Sequence, residues 1–230
     1  MSLIEENLKE IKSRIQQAAV KSGRKEEDIR LVVVTKTVDL DRIKEVIRCG
    51  IEIIGENRVQ EAEEKLTRLT EKVEKHLVGH LQTNKAKKAV ELFDLIQSVD
   101  SAHIAEEISK RAQEQGKLMD VLVEVNTSVE ETKFGVEPEK TLSLIETISK
   151  FPGIRIKGLM TIGLFSDDPE ATRPCFKKLK FLFEEIKSTS IPNVDMHNLS
   201  MGMTGDFEVA IEEGSNMVRI GTGIFGSRSN

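Results

Sequence analysis

The chain has 230 residues, of which 38% are hydrophobic and 32% are charged, and its formal net charge is −5 at pH 7. One α/β barrel can have this length, and the acidic balance gives no global attraction to nucleic acid or to an anionic membrane surface. Trp and Tyr are both absent, which removes the usual stacking platforms for single-stranded nucleic acid apart from Phe.

The N-terminus and the cysteines indicate the compartment. Residues 2–15 alternate charged and apolar side chains, unlike a signal peptide, and no apolar run approaches the ~20 residues of a membrane span. Cys49 and Cys175 are far apart and lack the spacing of a metal site, so we interpret both as packing residues in helices of a protein from a reducing compartment. We therefore expect a cytoplasmic protein.

The first predicted element is a helix over residues 3–20. Ser2 and Glu5 have the spacing of a capping box at its start, and Gly23 follows its end as a stop signal. Four apolar residues share one face of this helix: Ile4, Leu8, Ile11 and Ile15.

Eight strands follow, with charged segments of helical periodicity between most of them. The predicted strands are residues 31–36, 51–57, 76–82, 95–100, 120–127, 156–163, 194–202 and 217–226. Apolar strands that are separated by helices indicate a parallel sheet covered by helices. Eight such units in this length predict a (β/α)8 barrel, and we expect residues 1–230 to form a single domain because no linker or change of composition interrupts them.

The alternative fold is an open, doubly wound sheet. That fold carries a G-x-G-x-x-G phosphate motif directly after its first strand. Here the first strand leads into the sequence TKTVDLD instead, which favours the barrel.

Functional residues of a (β/α)8 barrel cluster at the C-terminal ends of its strands. Polar residues at the predicted strand ends are Lys36, Asn57, Arg58, His80, Gln82, Asn126, Ser200, Arg219 and Gly221–Gly223. A lone Lys after an apolar strand is more often a solvated cap than a catalytic group. Whether Lys36 is a functional amine therefore depends on which residues end the other strands.

The ends of the last two strands resemble a phosphate site. In these barrels the loops after strands 7 and 8 commonly hold phosphate. Gly221 and Gly223 let backbone N–H groups approach an oxyanion, and Ser200 and Thr222 supply hydroxyls. We predict no further helix in the tail, so that loop N–H groups would hold the phosphate.

An amine at one strand end and a phosphate site at others match a ligand with both an aldehyde and a phosphate. Pyridoxal 5′-phosphate (PLP) is such a ligand, and it binds proteins as a Schiff base on Lys. Arg219 would lie beside the phosphate site, where it could donate to the pyridine nitrogen. An Arg in that place keeps the nitrogen unprotonated and weakens the electron sink.

Much of the chain resembles a known family. The segments that carry the resemblance are LVVVTKTV, GENRVQEAEEK, HLVGHLQTNKAKKAV, IQSVDS, VNTSVEETKFG, GLMTIG and LSMGMTGDFEVAIEEGSNMVRIGTGIFG. Together they resemble the YggS/PROSC-type PLP-binding proteins, single-domain relatives of the alanine racemase N-terminal barrel (fold type III).

The resemblance implies roles for particular residues. It implies a Schiff base on Lys36, phosphate contacts from Ser200 and Gly221–Gly223, a ring-nitrogen contact from Arg219, and a place near the cofactor for Asn57. Gly223 departs from the Ala that is common in the family, and we expect it to loosen the turn without removing its N–H.

For each of two further groups of residues, two interpretations are open. The loop that contains Asn126, Glu130, Lys133 and Gly135 matches the family pattern, yet a capped strand-to-helix turn explains it as well as a ligand contact does. His80, Gln82 and Asn84 either line the mouth of the barrel or satisfy backbone groups of a loop. For His80 we favour the second interpretation.

The final question is whether such a protein is an enzyme. A two-base racemase needs an acid or base on each face of the substrate carbon, and in the racemase relatives the second base is a Tyr from another domain across a dimer. This chain has no Tyr, and only His80 could replace it. We expect a monomeric protein of PLP homeostasis that passes cofactor to apo-enzymes. The alternatives are a low-activity amino-acid racemase and a phosphate-ester enzyme without cofactor.

Overall fold

The structure is a computed structural model, and it describes residues 2–128, 130 and 133–226. Eight strands lie within these residues: β1 (Arg30–Val34), β2 (Ile53–Glu56), β3 (Glu74–Leu77), β4 (Leu95–Val99), β5 (Met119–Glu124), β6 (Ile154–Met160), β7 (Val194–Ser200) and β8 (Met217–Ile220). Each predicted strand is present. The predictions for the third and last strands ran too far, since residues 78–82 and 221–226 lie beyond β3 and β8.

The strands form a closed barrel in which every neighbouring pair is parallel. Val33 of β1 pairs with Ile54 of β2 on one side and with Ile220 of β8 on the other. The pairing of β1 with β8 closes the sheet, whereas a doubly wound sheet would leave two open edges. The predicted (β/α)8 barrel is therefore confirmed.

Helices surround the barrel. They are α1 (Leu3–Lys21), α2 (Leu40–Arg48), α3 (Val59–Leu66), α4 (Ala86–Leu92), α5 (Ala102–Glu114), α6 (Thr141–Ile148), α7 (Arg173–Lys187), α8 (Phe207–Glu212) and α9 (Thr222–Phe225). Across the described ranges, no helix has both the length and the apolar character needed to cross a membrane.

The first helix precedes the barrel, as predicted. Ser2 and Glu5 form the expected capping box at its start. Its buried face packs against the outer layer, and Arg14 forms an ion pair of 2.8 Å with Glu208 of α8. The Asn7 side chain also donates to the Ile224 carbonyl of α9 at 2.9 Å. The first helix therefore supports α9, the segment that follows β8.

Two apolar layers hold the barrel together. The larger lies between the strands and the helices. The smaller lies inside the barrel and consists of Val32, Ile53, Val78, Leu95, Leu122, Met160 and Met217. Because most strand residues are buried on both faces of the sheet, the sequence of a strand shows little polar alternation.

The tail and the cysteines complete the comparison with the sequence. The prediction of no further helix after β8 is wrong: residues 222–225 form α9, a single turn that begins after Gly221. Its sequence, TGIF, is too short and glycine-rich to show helical periodicity. Cys175 is buried in α7, and Cys49 ends α2 partly buried.

Candidate functional site

Lys36 lies at the mouth of the barrel, just beyond β1. Val32 and Val34 belong to the inner layer, so the alternation along the strand gives Lys36 the same inward register. Its side chain is half-buried. No residue in the described ranges forms a hydrogen bond or an ion pair with its Nζ atom. Within the described part of the chain the amine is therefore accessible from the mouth and uncommitted.

Barrel closure brings the other predicted residues to Lys36. Val34 pairs with Gly55 of β2, so Asn57 comes level with Lys36 on that side. On the other side Gly221 follows β8 so closely that a Cβ atom built on it would lie 3.1 Å from the Val34 carbonyl oxygen. Asn57, Lys36 and the Gly221–Gly223 turn thus share one edge of the mouth.

The Gly221–Gly223 turn is held by a residue that the sequence analysis missed. Thr204, in the loop after β7, accepts a hydrogen bond from the Thr222 hydroxyl at 3.1 Å and from the Gly223 N–H at 3.3 Å. The hydroxyl in the MGMTGD segment was a signal that could have identified it. The turn therefore presents two hydroxyls and backbone N–H groups together.

The expectation that Gly223 loosens the turn stays a prediction, but the structure shows how little space a side chain would have there. A Cβ atom built on Gly223 would lie 3.0 Å from the Thr204 methyl carbon and 3.2 Å from Ile11 Cδ1. These approaches are closer than ordinary van der Waals contacts. In this chain a glycine lets the turn pack tightly against α1 and the loop after β7.

Arg219 lies inside the barrel with 4% of its surface exposed. It donates to the Ser200 hydroxyl at 2.6 Å and to the Thr161 carbonyl at 2.8 Å. Burial lowers the pKa of Arg219 to about 10, against the opposing effect of Glu124 and Asp206. The guanidinium therefore remains charged at neutral pH. In the part of the chain that the structure describes, its Nε–H has no acceptor, which leaves a donor for a ligand.

A chain of hydrogen bonds runs down the barrel from Arg219. The Ser200 hydroxyl donates to Gln97 Oε1 at 2.6 Å, and Gln97 Nε2 donates to His76 Nδ1 at 2.8 Å. The His76 Nε2–H then donates to Glu74 at 2.7 Å. This direction requires neutral His76, in agreement with its burial, which lowers its pKa.

This chain changes how Ser200 is understood. Its hydroxyl is fully buried and is engaged by both Gln97 and Arg219. Thr204, rather than Ser200, supplies the hydroxyl that meets the Gly221–Gly223 turn. The phosphate contact of Ser200 stays a prediction. In the structure its hydroxyl accepts a hydrogen bond from Arg219 and so helps to orient the guanidinium.

Glu124, at the end of β5, is a second residue that the sequence analysis missed. It is 3% exposed and follows the inward-facing Leu122 by two positions. The pKa of Glu124 is raised to about 7, mainly by burial and also by the charge of Asp100, with Arg219 opposing the rise. A carboxyl group that titrates near neutrality therefore lies within electrostatic reach of Arg219.

His80 lies on a groove of about 790 Å³ beside the mouth, which Asn57, Arg58, Gln82 and Lys85 also line. Its ring stacks on Phe134 with a centroid separation of 3.8 Å, and its Nδ1 atom is 3.7 Å from Asp100. The interpretation that we favoured, satisfaction of backbone groups, is wrong for His80. The ring lines the rim of the mouth.

The loop after β5 is organised by its own polar side chains. The Asn126 amide donates to the carbonyls of Glu130 and Lys133 at 2.9 and 3.3 Å. Lys133 Nζ binds Glu130 and the Gly163 carbonyl, both at 2.8 Å. Gly135 has φ 111°, which favours glycine. These contacts favour the capped turn over a ligand site, although residues 129, 131 and 132 of the loop lie outside the described ranges.

The assembled donors fit PLP chemically. Lys36 offers an amine, the turn with Thr204 offers hydroxyl and N–H donors for a phosphate, and Arg219 offers a buried cation for a ring nitrogen. The fold and the site thus define a class of protein, the barrel with a lysine at the end of its first strand. The family model for the N-terminal domain of alanine racemase matches residues 4–229.

Comparison with known sequences narrows this class. The pyridoxal phosphate homeostasis protein of Aquifex aeolicus is 45% identical, and the match covers 97% of each chain. The chain belongs to the family of the pyridoxal phosphate homeostasis proteins, within the alanine racemase N-terminal domain class.

Solved structures agree with this assignment. The structure of PipY from Synechococcus elongatus with PLP bound has a TM-score of 0.85 and 32% identity, with 97% of this chain and all of that chain covered. Alanine racemase of Clostridium difficile has a TM-score of 0.77 at 19% identity, and the match covers 99% of this chain but 57% of the racemase. The second comparison shows the fold alone.

Proposed function

We propose that this protein binds PLP through a Schiff base on Lys36 and takes part in the homeostasis of intracellular PLP (vitamin B6). The observation that carries the proposal is the uncommitted amine of Lys36, which barrel closure holds next to the Gly221–Gly223 turn. The printed name of the Aquifex aeolicus relative and the PLP in PipY support the same ligand.

The residues around Lys36 would divide the binding of PLP between them. The Gly221–Gly223 turn and Thr204 would hold the phosphate, with a minor contact from Ser200, whose hydroxyl also meets Gln97 and Arg219. Arg219 would donate to the ring nitrogen, and Asn57 would flank the ring. When bound, PLP supplies an aldehyde whose carbon forms a double bond to the Lys36 nitrogen while the aldehyde oxygen leaves as water.

The charge of Arg219 favours holding PLP over turning over a substrate. A guanidinium with a pKa of about 10 keeps its protons at neutral pH, so the ring nitrogen beside it stays unprotonated. An unprotonated ring is the weaker electron sink. We propose that residues 1–230 act as one cytoplasmic, monomeric binding unit that limits free aldehyde and passes cofactor to apo-enzymes.

Retention of PLP during dialysis tests the proposal. Wild-type protein mixed with PLP should keep a visible absorption band after dialysis, and Lys36→Ala should lose it. Lys133→Ala is the matched control, because Lys133 lies at the same end of the barrel but is engaged by Glu130 and Gly163. A colourless wild-type protein would contradict the proposal and favour a phosphate-ester enzyme.

A low-activity amino-acid racemase is the second candidate, and Glu124 is the observation that favours it. A buried carboxyl group with a pKa of about 7 can both take and give a proton at neutral pH. PLP-loaded protein incubated with single L-amino acids, followed by chiral chromatography, decides the matter. D-enantiomer that depends on both Lys36 and Glu124 would replace the binding role with an enzymatic one, whereas no turnover supports the binding role.

A further inference from the structure

A buried polar cluster lies behind Lys36, between the barrel and α3. Glu56, the last residue of β2, is 1% exposed. Its Oε1 atom is 2.6 Å from Lys65 Nζ of α3 and accepts a hydrogen bond of 2.6 Å from the Thr35 hydroxyl. Lys65 also forms an ion pair of 2.8 Å with Glu61 of the same helix. We call Glu56, Glu61 and Lys65 the β2–α3 clamp.

The clamp holds the backbone on both sides of Lys36. Before Lys36, Lys65 Nζ donates to the Thr35 carbonyl at 2.8 Å. After Lys36, the Thr37 N–H donates to Glu61 and Lys65 Nζ donates to the Val38 carbonyl at 3.4 Å. The peptide groups next to Lys36 are thus fixed from behind, while its amine has no partner in the described part of the chain.

The backbone that the clamp holds is strained. Thr37 has φ 60°, a left-handed conformation that is uncommon for a β-branched residue. Such residues persist only where the surrounding structure enforces them. Here the enforced residue directly follows Lys36, so the direction in which the lysine leaves the strand depends on the clamp.

Stability alone does not explain the clamp. The Oε2 atom of Glu56 is buried with no hydrogen-bond partner among the described residues, and burial raises the pKa of this carboxyl group against the opposing hydrogen bonds from Lys65 and Thr35. Replacement of a buried ion pair by apolar residues is often neutral or stabilising. A cluster that leaves a buried carboxylate oxygen without a partner among the described residues and holds a strained turn is better explained by the position that it gives to Lys36.

We propose that Glu56, Glu61 and Lys65 are positioning residues that direct the Lys36 amine into the mouth for reaction with the aldehyde of PLP. This inference rests on the proposed function, because it concerns the rate at which that amine reacts. The clamp does not touch the Gly221–Gly223 turn through any described contact, so phosphate binding should be independent of it.

The test separates the reaction of the amine from binding of the ligand. The double variant Glu56→Leu with Lys65→Met removes the buried charges together and should fold with nearly unchanged resistance to urea. We expect the absorption band to form at least tenfold more slowly with PLP. Affinity for pyridoxine 5′-phosphate, which has no aldehyde, should stay within twofold. Lys157→Met is the matched control, since Lys157 is 18% exposed in its ion pair with Asp195 and Lys65 is 12% exposed.

A second variant keeps the inference testable if the double variant does not fold. Glu61→Ala removes the acceptor of the Thr37 N–H and one carboxylate partner of Lys65 on the partly exposed face of α3, and it leaves the pair of Glu56 and Lys65 in place. The band should form several-fold more slowly. Unchanged rates in both folded variants would overturn the inference, and so would an equal loss of rate and of pyridoxine 5′-phosphate affinity. If wild-type protein forms no covalent band at Lys36, the proposed function fails and the inference fails with it.

Discussion

Lys36 and Arg219 are the two cations of the candidate site, and the structure treats them in opposite ways. Arg219 is buried and donates to both Ser200 and Thr161. Lys36 is half-buried, and its amine has no partner in the described ranges, whereas its backbone is held on both sides. Arg219 is thus held at its guanidinium group, whereas Lys36 is held at its backbone.

The roles that we propose for the two cations explain this difference. A group that orients a ligand must not move, so a hydrogen-bonded chain from Arg219 through Ser200 and Gln97 to His76 is appropriate. A group that forms a covalent bond must keep its nitrogen free while its direction is controlled. Variants of the two residues should therefore differ in effect: a change of Arg219 should lower stability, and a change of Lys36 should affect the reaction with PLP.

The largest expected effect is on stability. In protein without PLP, Arg219→Leu should lower the free energy of unfolding by about 3–5 kcal/mol, because it leaves Ser200 and the nearby carboxyl groups without their buried cation. Lys36→Leu should change it by less than about 0.5 kcal/mol. Urea unfolding of both variants measures the contrast. Equal losses would show that Lys36 is as much a structural residue as Arg219.

The next effect depends on pH through Glu124. The pKa of this carboxyl group rises from 4.5 to about 7 on folding, so the folded state binds more protons between these values. The contribution of Glu124 to stability should therefore be lost as the pH rises from about 4.5 to about 7. Glu124→Gln lacks this contribution, so its free energy of unfolding relative to that of the wild type should rise over the same pH range, by on the order of 3 kcal/mol at most.

Unfolding of the two proteins at several pH values, without PLP, measures this difference. Glu106→Gln on α5 is a control for loss of an exposed carboxyl group and should follow the wild type. Parallel curves for wild type and Glu124→Gln would mean that the carboxyl group is solvated in the mouth and does not titrate near neutrality.

The smallest effect distinguishes two hydroxyls. Ser200→Ala interrupts the interior chain and should cost about 1–2 kcal/mol of stability, with little change in protection by inorganic phosphate. Thr204→Val removes the hydroxyl beside the Gly221–Gly223 turn and should weaken phosphate protection about fivefold, with stability nearly unchanged. Thermal melts with and without phosphate show both. The reverse pattern would make Ser200, rather than Thr204, the main hydroxyl of the phosphate site.

Much of the fold was predictable from the sequence, because each strand of a barrel covered by helices is an apolar run between amphipathic segments. The register of β1 with β8 was not, although it brings Lys36 to Gly221. Helix α9 escaped prediction because its one turn follows Gly221 directly. A prediction based on periodicity needs longer segments.

The site was predictable where a polar residue ends an apolar strand, as with Lys36, Asn57 and Arg219. Glu124 was missed because it lies within the apolar run of its strand, and only the closed barrel turns it toward Arg219. The pair of Glu56 and Lys65 was missed because its members lie on a strand and a helix whose packing no local pattern reveals. The sequence places such residues in elements but does not show which face each other.

The central claim is that the amine of Lys36 is the one that reacts with PLP. Borohydride treatment of PLP-loaded protein makes the linkage permanent, and mass spectrometry of its peptides then locates the label. We expect one major label, on Lys36, in wild-type protein. A label on Lys65, Lys133 or any other lysine in place of Lys36 would contradict the account.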